Sequence, residues 1–320
     1  MSRTIVVLRR DIHGMPIEGY ADAIRERLPN HDVRLAMSPR EEREYVTDAE
    51  VVTGLSPEGL LDHAEQLKLF QCLYAGTEHL QLDKLDSRGV TVTSAAGVHG
   101  PNIAEYAIGM MLTFARQLHT GFRRSDRREW RHFQADEVFG STVTIVGLGH
   151  IGTAIAERLG GFGVDTIGVR YTPSKGGPTD EVVGFEPDEF HDALARTDYL
   201  IVACPLTETT EGLIDAAAFE TLPPTAILIN IARGPIVDTD ALVSELQTGG
   251  LSGAALDVTD PEPLPEDHPL WTFENVLITP HNSGYTPAYY DRVADILAEN
   301  LERIEERGFE ADLRNQVIPE

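Results

Sequence analysis

The stretch VTIVGLGHIGTAIAERLGGFGVDTIGVRYTPS, residues 143–174, contains a strand pattern, a glycine-rich turn, a helix pattern and a second strand pattern. Gly147 permits a tight turn, Gly149 allows the backbone to approach a pyrophosphate, and Gly152 allows close packing of helix on strand. A helix running on from Ile151 offers free N–H groups and its positive dipole end to phosphate. A tight turn without a ligand is the alternative. Because both flanks fit the motif, the sequence predicts a dinucleotide site.

An arginine stands where such sites usually carry an acidic residue, about 20 positions after the first glycine. A carboxylate there would accept hydrogen bonds from the adenosine ribose and repel a 2′-phosphate, whereas the guanidinium of Arg170 would donate to phosphate oxygens. Thr172, Ser174 and Lys175 are close in sequence and could add donors. We therefore predict a preference for NADPH, with NADH as a weaker cofactor. The alternative is an exposed arginine that permits either.

The chain has 320 residues, of which 42% are hydrophobic, which indicates a packed protein of about two domains. No apolar run approaches the roughly 18–20 residues of a membrane span, and the run TIVVL at 4–8 is too short for a signal-peptide core. We expect a cytoplasmic protein. Cys72 and Cys204 are expected to be buried, reduced thiols, and no His/Cys spacing suits a metal.

The formal net charge is −26, and lysine occurs only at Lys68, Lys84 and Lys175. A field of this sign repels nucleic acid and anionic lipid, so neither is expected as a partner. An ordinary acidic cytosolic protein is one interpretation. Adaptation to a salt-rich cytoplasm is the one we favour, because at molar salt the Debye length falls to about 3 Å and repulsion between carboxylates is largely screened.

Strand and helix patterns alternate along the chain, which is typical of parallel α/β folds. Residues 101–122 are predicted as one long helix, 123–133 as an exposed excursion, and 287–306 as a last helix that could cross back onto the first unit. The predicted strands of the first unit lie at 4–8, 49–54, 67–76 and 90–96, and those of a second unit at 141–149, 197–205, 225–234, 253–258 and 276–281.

Three residues whose side chains can bind a substrate or transfer a proton follow later strands: Arg233, Glu262 and His281. In open α/β sheets ligands bind beyond the carboxyl ends of the strands, so all three are placed where a site should form. Taken singly, each has a structural interpretation: a turn arginine, a solvated glutamate and a hydrogen-bonding histidine. A nicotinamide site needs one group to bind substrate and one to carry a proton, and together these residues could supply both.

The sequence resembles the D-isomer-specific 2-hydroxyacid dehydrogenases over almost its whole length. The resemblance is carried by GVHGPNIAEYAIGMML, VGLGHIG, CPLTETTEGLID, ILINIARGPIVDTDALVSEL, AALDVTDPEPLPEDHPLW and VLITPHNSG, all within 97–286. It implies an oxidoreductase that reduces a 2-keto acid to a D-2-hydroxy acid, reversibly. Arg233 would bind the substrate carboxylate and orient the carbonyl, His281 would act as acid and base, and Glu262 would pair with His281.

The resemblance also implies further contacts. Tyr74, Ala75 and Gly76 would form a turn whose N–H groups hold the substrate carboxylate, and Asn102 would line the cleft between domains; a plain turn and a helix-terminus hydrogen bond are the alternatives. Asp257 would contact the nicotinamide carboxamide, unless it caps a helix or forms a salt bridge. Further cofactor contacts are implied at His150, Ile151, Tyr171, Thr172, Cys204, Pro205, Ile231, Ala232, His281 and Ser283, although Pro205 could serve only to end a strand.

The fold implied is α/β: a Rossmann-like dinucleotide-binding domain, 101–286, inserted into a smaller flavodoxin-like substrate domain formed by 1–100 and 287–320. A homodimer formed through 101–139 is expected, with Trp130 in dimer or core packing rather than at the substrate. The chain ends at 320 without the regulatory domain of some serine-pathway relatives, which makes a phosphoglycerate role less favoured. The substrate is left open among small, branched and aromatic 2-keto acids.

Two other functions remain as alternatives. Some relatives of this fold are co-regulators that bind a dinucleotide without turnover, and these can retain the same three residues. A methyltransferase that uses the glycine turn for S-adenosylmethionine is a more distant alternative, because it has no use for the joint placement of arginine, glutamate and histidine.

Overall fold

The computed structural model describes residues 2–77 and 79–318. Met1, Glu78 and the last two residues of the predicted substrate domain lie outside the described residues. The strands are β1 Thr4–Val7, β2 Asp32–Leu35, β3 Val51–Gly54, β4 Leu69–Cys72, β5 Thr91–Thr93, β6 Thr142–Val146, β7 Asp165–Val169, β8 Glu181–Val183, β9 Tyr199–Val202, β10 Ile227–Asn230, β11 Gly253–Leu256, β12 Val276–Ile278 and β13 Gln316–Ile318. The α-helices are α1 Glu18–Arg27, α2 Pro39–Val46, α3 Leu82–Asp86, α4 Gly100–Ala115, α5 Leu118–Asp126, α6 His150–Leu159, α7 Pro187–Leu194, α8 Ala216–Thr221, α9 Thr239–Thr248 and α10 Tyr289–Arg307.

The first sheet has the strand order β13-β5-β4-β3-β1-β2. All of its pairings are parallel except that of β13 with β5. The order 2-1-3-4-5 within it is that of flavodoxin-like folds, as the sequence predicts. β1, β3 and β4 are buried almost throughout, which is why they read as short apolar runs rather than alternating ones.

The second sheet has the strand order β12-β11-β10-β9-β6-β7-β8, and every pairing is parallel. The chain leaves β6 towards β7 on one side and returns to β9 on the other. The topological switch point therefore lies between β6 and β9, where ligands bind in Rossmann-like sheets. The turn after β6 is the glycine-rich one, so the fold places the predicted dinucleotide motif at that crevice.

The chain divides into two compact units. One takes in Met1–Val98 and Tyr285–Glu320, and the other takes in His99–Gly284. These boundaries differ by two residues from those predicted. Within the first unit α10 packs against α1, so the last helix does return to the first part of the chain, and Arg27 of α1 forms ion pairs with Asp291 and Asp295 of α10.

The single long helix predicted over 101–122 is wrong. α4 ends at Ala115, and α5 begins at Leu118. Gln117 between them has a φ of 52°, a left-handed conformation that cannot continue an α-helix. Phe114, Leu118 and Phe122 continue the helical spacing across the break, so periodicity alone did not reveal it.

Three strands carried no usable signal in the sequence: β2, β8 and β13. β2 and β8 lie at sheet edges and are only partly buried, so their apolar content is low. β13 lies far along the chain from its antiparallel partner β5, and only the tertiary fold brings the two together.

Cys72 and Cys204 are buried, and neither forms a disulfide, as predicted. Burial raises the pKa of the Cys204 thiol to about 11, so this residue stays protonated at neutral pH. None of the helices in the described part of the chain is both long enough and apolar enough to cross a membrane.

Candidate active site

The glycine turn after β6 has the geometry that each of its three glycines was predicted to provide. Gly147 has a φ of 104°, and a Cβ there would lie 2.7 Å from the backbone of Cys204. A Cβ at Gly152 would lie 1.9 Å from the carbonyl oxygen of Gly147. At Gly149 a Cβ would meet no protein atom within 4 Å. Protein packing therefore demands two of the glycines, whereas the third leaves open space in front of the start of α6.

A cleft of about 570 Å³ opens at this turn, at the carboxyl ends of β6, β7 and β9. Many predicted cofactor residues share it, although they come from three separate stretches of the chain. Its lining residues are Gly147, Leu148, Gly149, Arg170, Tyr171, Thr172, Lys175, Phe185, Cys204, Pro205, Thr207, Thr209 and Thr210. Backbone N–H groups at the start of α6, hydroxyl groups and two cationic side chains in one crevice fit an anionic dinucleotide.

Arg170 follows β7 directly and lines this cleft. One of its guanidinium nitrogens donates to the carbonyl oxygen of Gly176, which fixes the side chain over the 170–176 loop. Tyr171 and Lys175 are exposed beside it, with Tyr171 at 82%. The guanidinium has five N–H donors, so this one bond leaves others for a phosphate.

His281 and Glu262 lie together. Nδ1 of His281 is 3.1 Å from Oε2 of Glu262. The other carboxylate oxygen of Glu262, Oε1, accepts from the N–H of Thr259 at 3.1 Å, which fixes the carboxylate. Both side chains are partly exposed, at 52% and 40%. With Nδ1 bonded to Glu262, Nε2 is the ring atom left to exchange a proton with a substrate.

The loop that carries His281 is held by Asp257, the residue just after β11. Asp257 is 1% exposed. Its Oδ1 accepts from the hydroxyl of Thr279 at 2.6 Å and from the N–H of Asn282 at 2.8 Å, and its Oδ2 accepts from the N–H of Ser283 at 2.9 Å. The helix cap and salt bridge considered for Asp257 are not what the structure shows. A contact with the nicotinamide stays a prediction.

Arg233 follows β10 and is exposed. The turn that carries it is fixed by Asn230, whose side chain accepts from the N–H of Ala232 and donates to the carbonyl oxygen of Arg233, both at 3.1 Å. A Cβ at Gly234 would lie 2.0 Å from the carbonyl oxygen of Thr259. The Arg233 loop therefore touches the backbone of the loop that carries Glu262, so the fold brings the neighbourhoods of all three predicted catalytic residues together.

The remaining predicted contacts of this unit lie around the same loops. His150 is the first residue of α6, and Ile231 and Ala232 are buried just after β10. Ser283 is buried, and its carbonyl oxygen accepts from the side chain of Asn102 at 2.7 Å. The amide of Asn102 therefore holds the His281 loop, and its contact with substrate stays a prediction.

Tyr74, Ala75 and Gly76 belong to the first unit and follow β4. Tyr74 is anchored, because its carbonyl oxygen accepts from the N–H of Ala95 at 3.0 Å. Within residues 2–77 and 79–318, the N–H groups of Ala75 and Gly76 have no hydrogen-bond acceptor. Their role as donors to a substrate carboxylate stays a prediction.

Several residues were missed by the sequence reasoning. Asn230 is a buried polar residue at the end of an apolar strand, which is a signal the sequence did contain. Phe185 in the cleft gave no local signal. Thr207, Thr209, Thr210 and Tyr106 lie within two of the stretches that carry the resemblance, but no feature of those stretches singled them out, because only the tertiary fold brings them to the site.

The core packing considered for Trp130 is wrong, because its side chain is 96% exposed in the single chain. No group of three or more His, Cys, Asp or Glu residues in the described part of the chain could hold a metal ion.

A parallel sheet with a glycine turn at its switch point, and a Glu262–His281 pair after β11 and β12, define a dinucleotide-binding protein of the Rossmann class. Residues 108–283 match the family model "D-isomer specific 2-hydroxyacid dehydrogenase, NAD binding domain". The chain belongs to this family.

Individual relatives of known sequence or structure support this family membership. The glyoxylate reductase/hydroxypyruvate reductase of Homo sapiens is 36% identical over 250 residues, covering 76% of this chain and 75% of that protein. A family member from Aeromonas salmonicida has a crystal structure with a TM-score of 0.79, 31% identity and 99% coverage of both chains. A family member from Xanthobacter autotrophicus, solved with NADPH and MES, has a TM-score of 0.77 and 28% identity, covering 100% of this chain and 99% of that one.

Proposed function

We propose that this protein reduces a 2-keto acid to the D-2-hydroxy acid with NADPH, reversibly. The contact between Nδ1 of His281 and Glu262, on a loop that adjoins the Arg233 turn, carries the proposal. Keto-acid reduction is the activity named for the human relative. Glyoxylate and hydroxypyruvate are accordingly the first substrates to test.

Each residue has a defined task. When bound, the nicotinamide supplies the hydride that reduces the carbonyl carbon. Nε2 of His281 gives its proton to the carbonyl oxygen, and in the reverse direction it takes the proton from the hydroxyl group. Glu262 fixes Nδ1, so the ring presents Nε2 in a constant orientation. Arg233 binds the substrate carboxylate as a charged donor and orients the carbonyl.

The backbone N–H groups of Ala75 and Gly76, in the first unit, are the predicted donors to the substrate carboxylate.

We propose NADPH as the preferred cofactor because Arg170 lines the cleft where a carboxylate would exclude a 2′-phosphate. Lys175 and Thr172 line the same cleft and add a charge and a hydroxyl donor. The relative from Xanthobacter autotrophicus was solved with NADPH, which supports the proposal.

Turnover tests the function directly. Initial rates with NADPH should be measured across glyoxylate, hydroxypyruvate, pyruvate and larger branched and aromatic 2-keto acids, in wild type and in His281→Ala. We expect turnover of at least one acid by the wild type and a loss of about 10²–10⁴-fold in kcat in the variant. A protein that binds NADPH but reduces none of these acids would instead be a dinucleotide sensor.

We also propose a homodimer formed through α5 and the segment that follows it. Phe122, Trp130 and Phe139 expose large apolar surfaces there, and five arginines between 123 and 131 stand in an otherwise acidic chain. A second acidic copy would neutralise the arginines and cover the aromatic rings. Sedimentation of wild type and Trp130→Ser at one salt concentration tests this; a monomeric wild type refutes it.

A further inference from the structure

The position of His281 depends on a loop rather than on a strand. β12 ends at Ile278, three residues earlier, and His281 has a φ of 51°, a left-handed conformation that is unfavourable for a residue with a Cβ. Its N–H bonds to the carbonyl oxygens of Asp257 and Thr279. Backbone held in such a conformation persists only when its surroundings determine it strongly. The anchors of the loop therefore decide where the imidazole stands.

A directed chain of hydrogen bonds supplies one of these anchors. The hydroxyl of Thr279 lies 2.6 Å from Oδ1 of Asp257 and 2.6 Å from the hydroxyl of Tyr106. Thr279 donates to Asp257, and its hydroxyl has only this one proton to donate. Tyr106 must then donate to Thr279. Burial raises the pKa of Tyr106 to about 12, so its hydroxyl keeps that proton.

The same helix holds the loop at a second point. Asn102 and Tyr106 are four residues apart on α4 and therefore share a face. Asn102 donates to the carbonyl oxygen of Ser283, and Tyr106 reaches Thr279, so α4 holds the loop on both sides of His281. α4 also lies against the cofactor helix α6: a Cβ at Gly100 would be 3.3 Å from Cβ of Ala154. The helix therefore has little freedom to shift away from the loop.

We propose that Tyr106 and Thr279 are positioning residues for His281, acting through the buried carboxylate of Asp257. Neither is expected to touch substrate or cofactor. The inference rests on the proposed function, because it assigns the imidazole of His281 its proton transfer. Reaction rates fall steeply with misplacement of a reacting group, by as much as about 10²-fold for 1 Å.

Three variants test the chain. Tyr106→Phe removes the first donor, Thr279→Val removes the middle hydroxyl at nearly constant volume, and Thr279→Ser retains it. We expect Tyr106→Phe and Thr279→Val to lower kcat for reduction by about 10- to 10²-fold while the Kd for NADPH stays within about twofold of wild type. Thr279→Ser keeps the hydroxyl and should therefore have a kcat closer to that of wild type than to that of Thr279→Val. The double variant Tyr106→Phe/Thr279→Val should be no slower than Thr279→Val, because both changes break one chain.

Matched controls separate positioning from general loss of stability. Tyr199→Phe removes the hydroxyl of another buried tyrosine in the same unit, and Thr197→Val removes a buried hydroxyl bonded to Thr144 at 2.6 Å. Neither control residue lies in the His281 loop. We expect both controls to keep kcat within about twofold of wild type even where they lower Tm. Equal losses of kcat in the controls and in the test variants would overturn the proposal.

A readout without turnover keeps this inference distinct from the proposed function. Two-dimensional NMR of protein with ¹⁵N-labelled histidine reports the ring nitrogens of His281, assigned by their loss in His281→Ala. These signals should move in Tyr106→Phe and Thr279→Val and stay unchanged in Tyr199→Phe. If they stay unchanged in all variants, positioning is refuted. If they move but no keto acid is reduced by the wild type, the proposed function fails while the structural role stands.

Discussion

Oε2 of Glu262 lies 3.1 Å from Nδ1 of His281, although the two residues are 19 positions apart and follow different strands. Glu262 is itself fixed by the N–H of Thr259, so the imidazole is paired with a carboxylate that has one orientation. This leaves Nε2 as the atom for proton transfer and gives the pair a direct experimental consequence.

Two substitutions of Glu262 distinguish its effect on the orientation of the His281 ring from the effect of its negative charge. Glu262→Gln keeps an oxygen that can accept from Nδ1, whereas Glu262→Ala removes the partner altogether. Acid–base catalysis contributes about 10²–10⁴-fold, so we expect Glu262→Ala to approach that loss in kcat for reduction and Glu262→Gln to lose less. The kinetics of both variants with the best keto acid provide the measurement. Equal, near-normal kcat in both would show that the contact has no part in the reaction.

Arg170 predicts the choice of cofactor. In wild type the ratio of kcat/KM for NADPH to that for NADH should exceed one. In Arg170→Asp the ratio should invert, because the carboxylate repels a 2′-phosphate and accepts from a ribose diol. Arg196→Asp is a matched control, since that arginine pairs with Glu181 at 3.0 Å and does not line the cleft. A wild type that prefers NADH would refute the cofactor assignment.

The geometry of the glycine turn predicts that one alanine substitution lowers stability and that another mainly weakens cofactor binding. Gly152→Ala would place a methyl group 1.9 Å from a backbone oxygen, so the turn must shift and Tm should fall. Gly149→Ala meets no protein atom within 4 Å and has an ordinary φ of −82°, so the fold should lose no more than about 1 kcal/mol. Binding of NADPH should nevertheless weaken in Gly149→Ala. Thermal unfolding and titration with NADPH check both; unchanged binding in Gly149→Ala would argue against a pyrophosphate there.

Net charge predicts a requirement for salt. With −26 formal charges, repulsion extends over about 30 Å at 0.01 M salt and about 3 Å at 1 M. We expect Tm and kcat to fall when the protein is transferred from about 2 M KCl to dilute buffer. Sucrose at matched osmolarity is the control, because it does not screen charge. Unchanged melting and activity in dilute buffer would identify an ordinary acidic protein instead.

Glu299 predicts part of the response to acid. Hydrogen bonds from Arg314 hold the pKa of its carboxyl below the ordinary value, and Arg303 contributes further. A lowered pKa in the fold means that the ionised form is stabilising, so the stabilisation is present above the ordinary pKa and disappears as pH falls through the lowered one. Because the pair is partly exposed, the effect is at most about 1 kcal/mol. Glu299→Gln should lower Tm at pH 7, and the difference from wild type should shrink as pH falls below the ordinary pKa of a glutamate and vanish below the lowered one. A difference that persists there would contradict the linkage.

The sequence determined the buried strands and the glycine motif. β1, β3, β4, β6 and β9 are buried on both faces. Strands buried in this way consist almost entirely of apolar residues and can therefore be recognised in the sequence. Gly147 is required by its φ of 104° in the tight turn, and Gly152 by a contact within the same strand–turn–helix unit, so their spacing was readable without the fold. The clash of a Cβ at Gly147 with Cys204 after β9 was not readable in that way. Arg233, Glu262 and His281 could be singled out because each follows a strand and a parallel sheet gathers strand ends at one edge.

Only the tertiary structure decided how those residues are held. The break at Gln117 lies inside a continuous apolar pattern, and the edge strands β2 and β8 bury too little to be recognised. The role of Asp257 and the contact of Tyr106 with Thr279 join segments more than 20 and more than 170 residues apart in the chain. Hydrogen bonds over such separations leave no periodicity in the sequence, because each side chain is locally unremarkable and acquires its partner only when the sheet and α4 pack together.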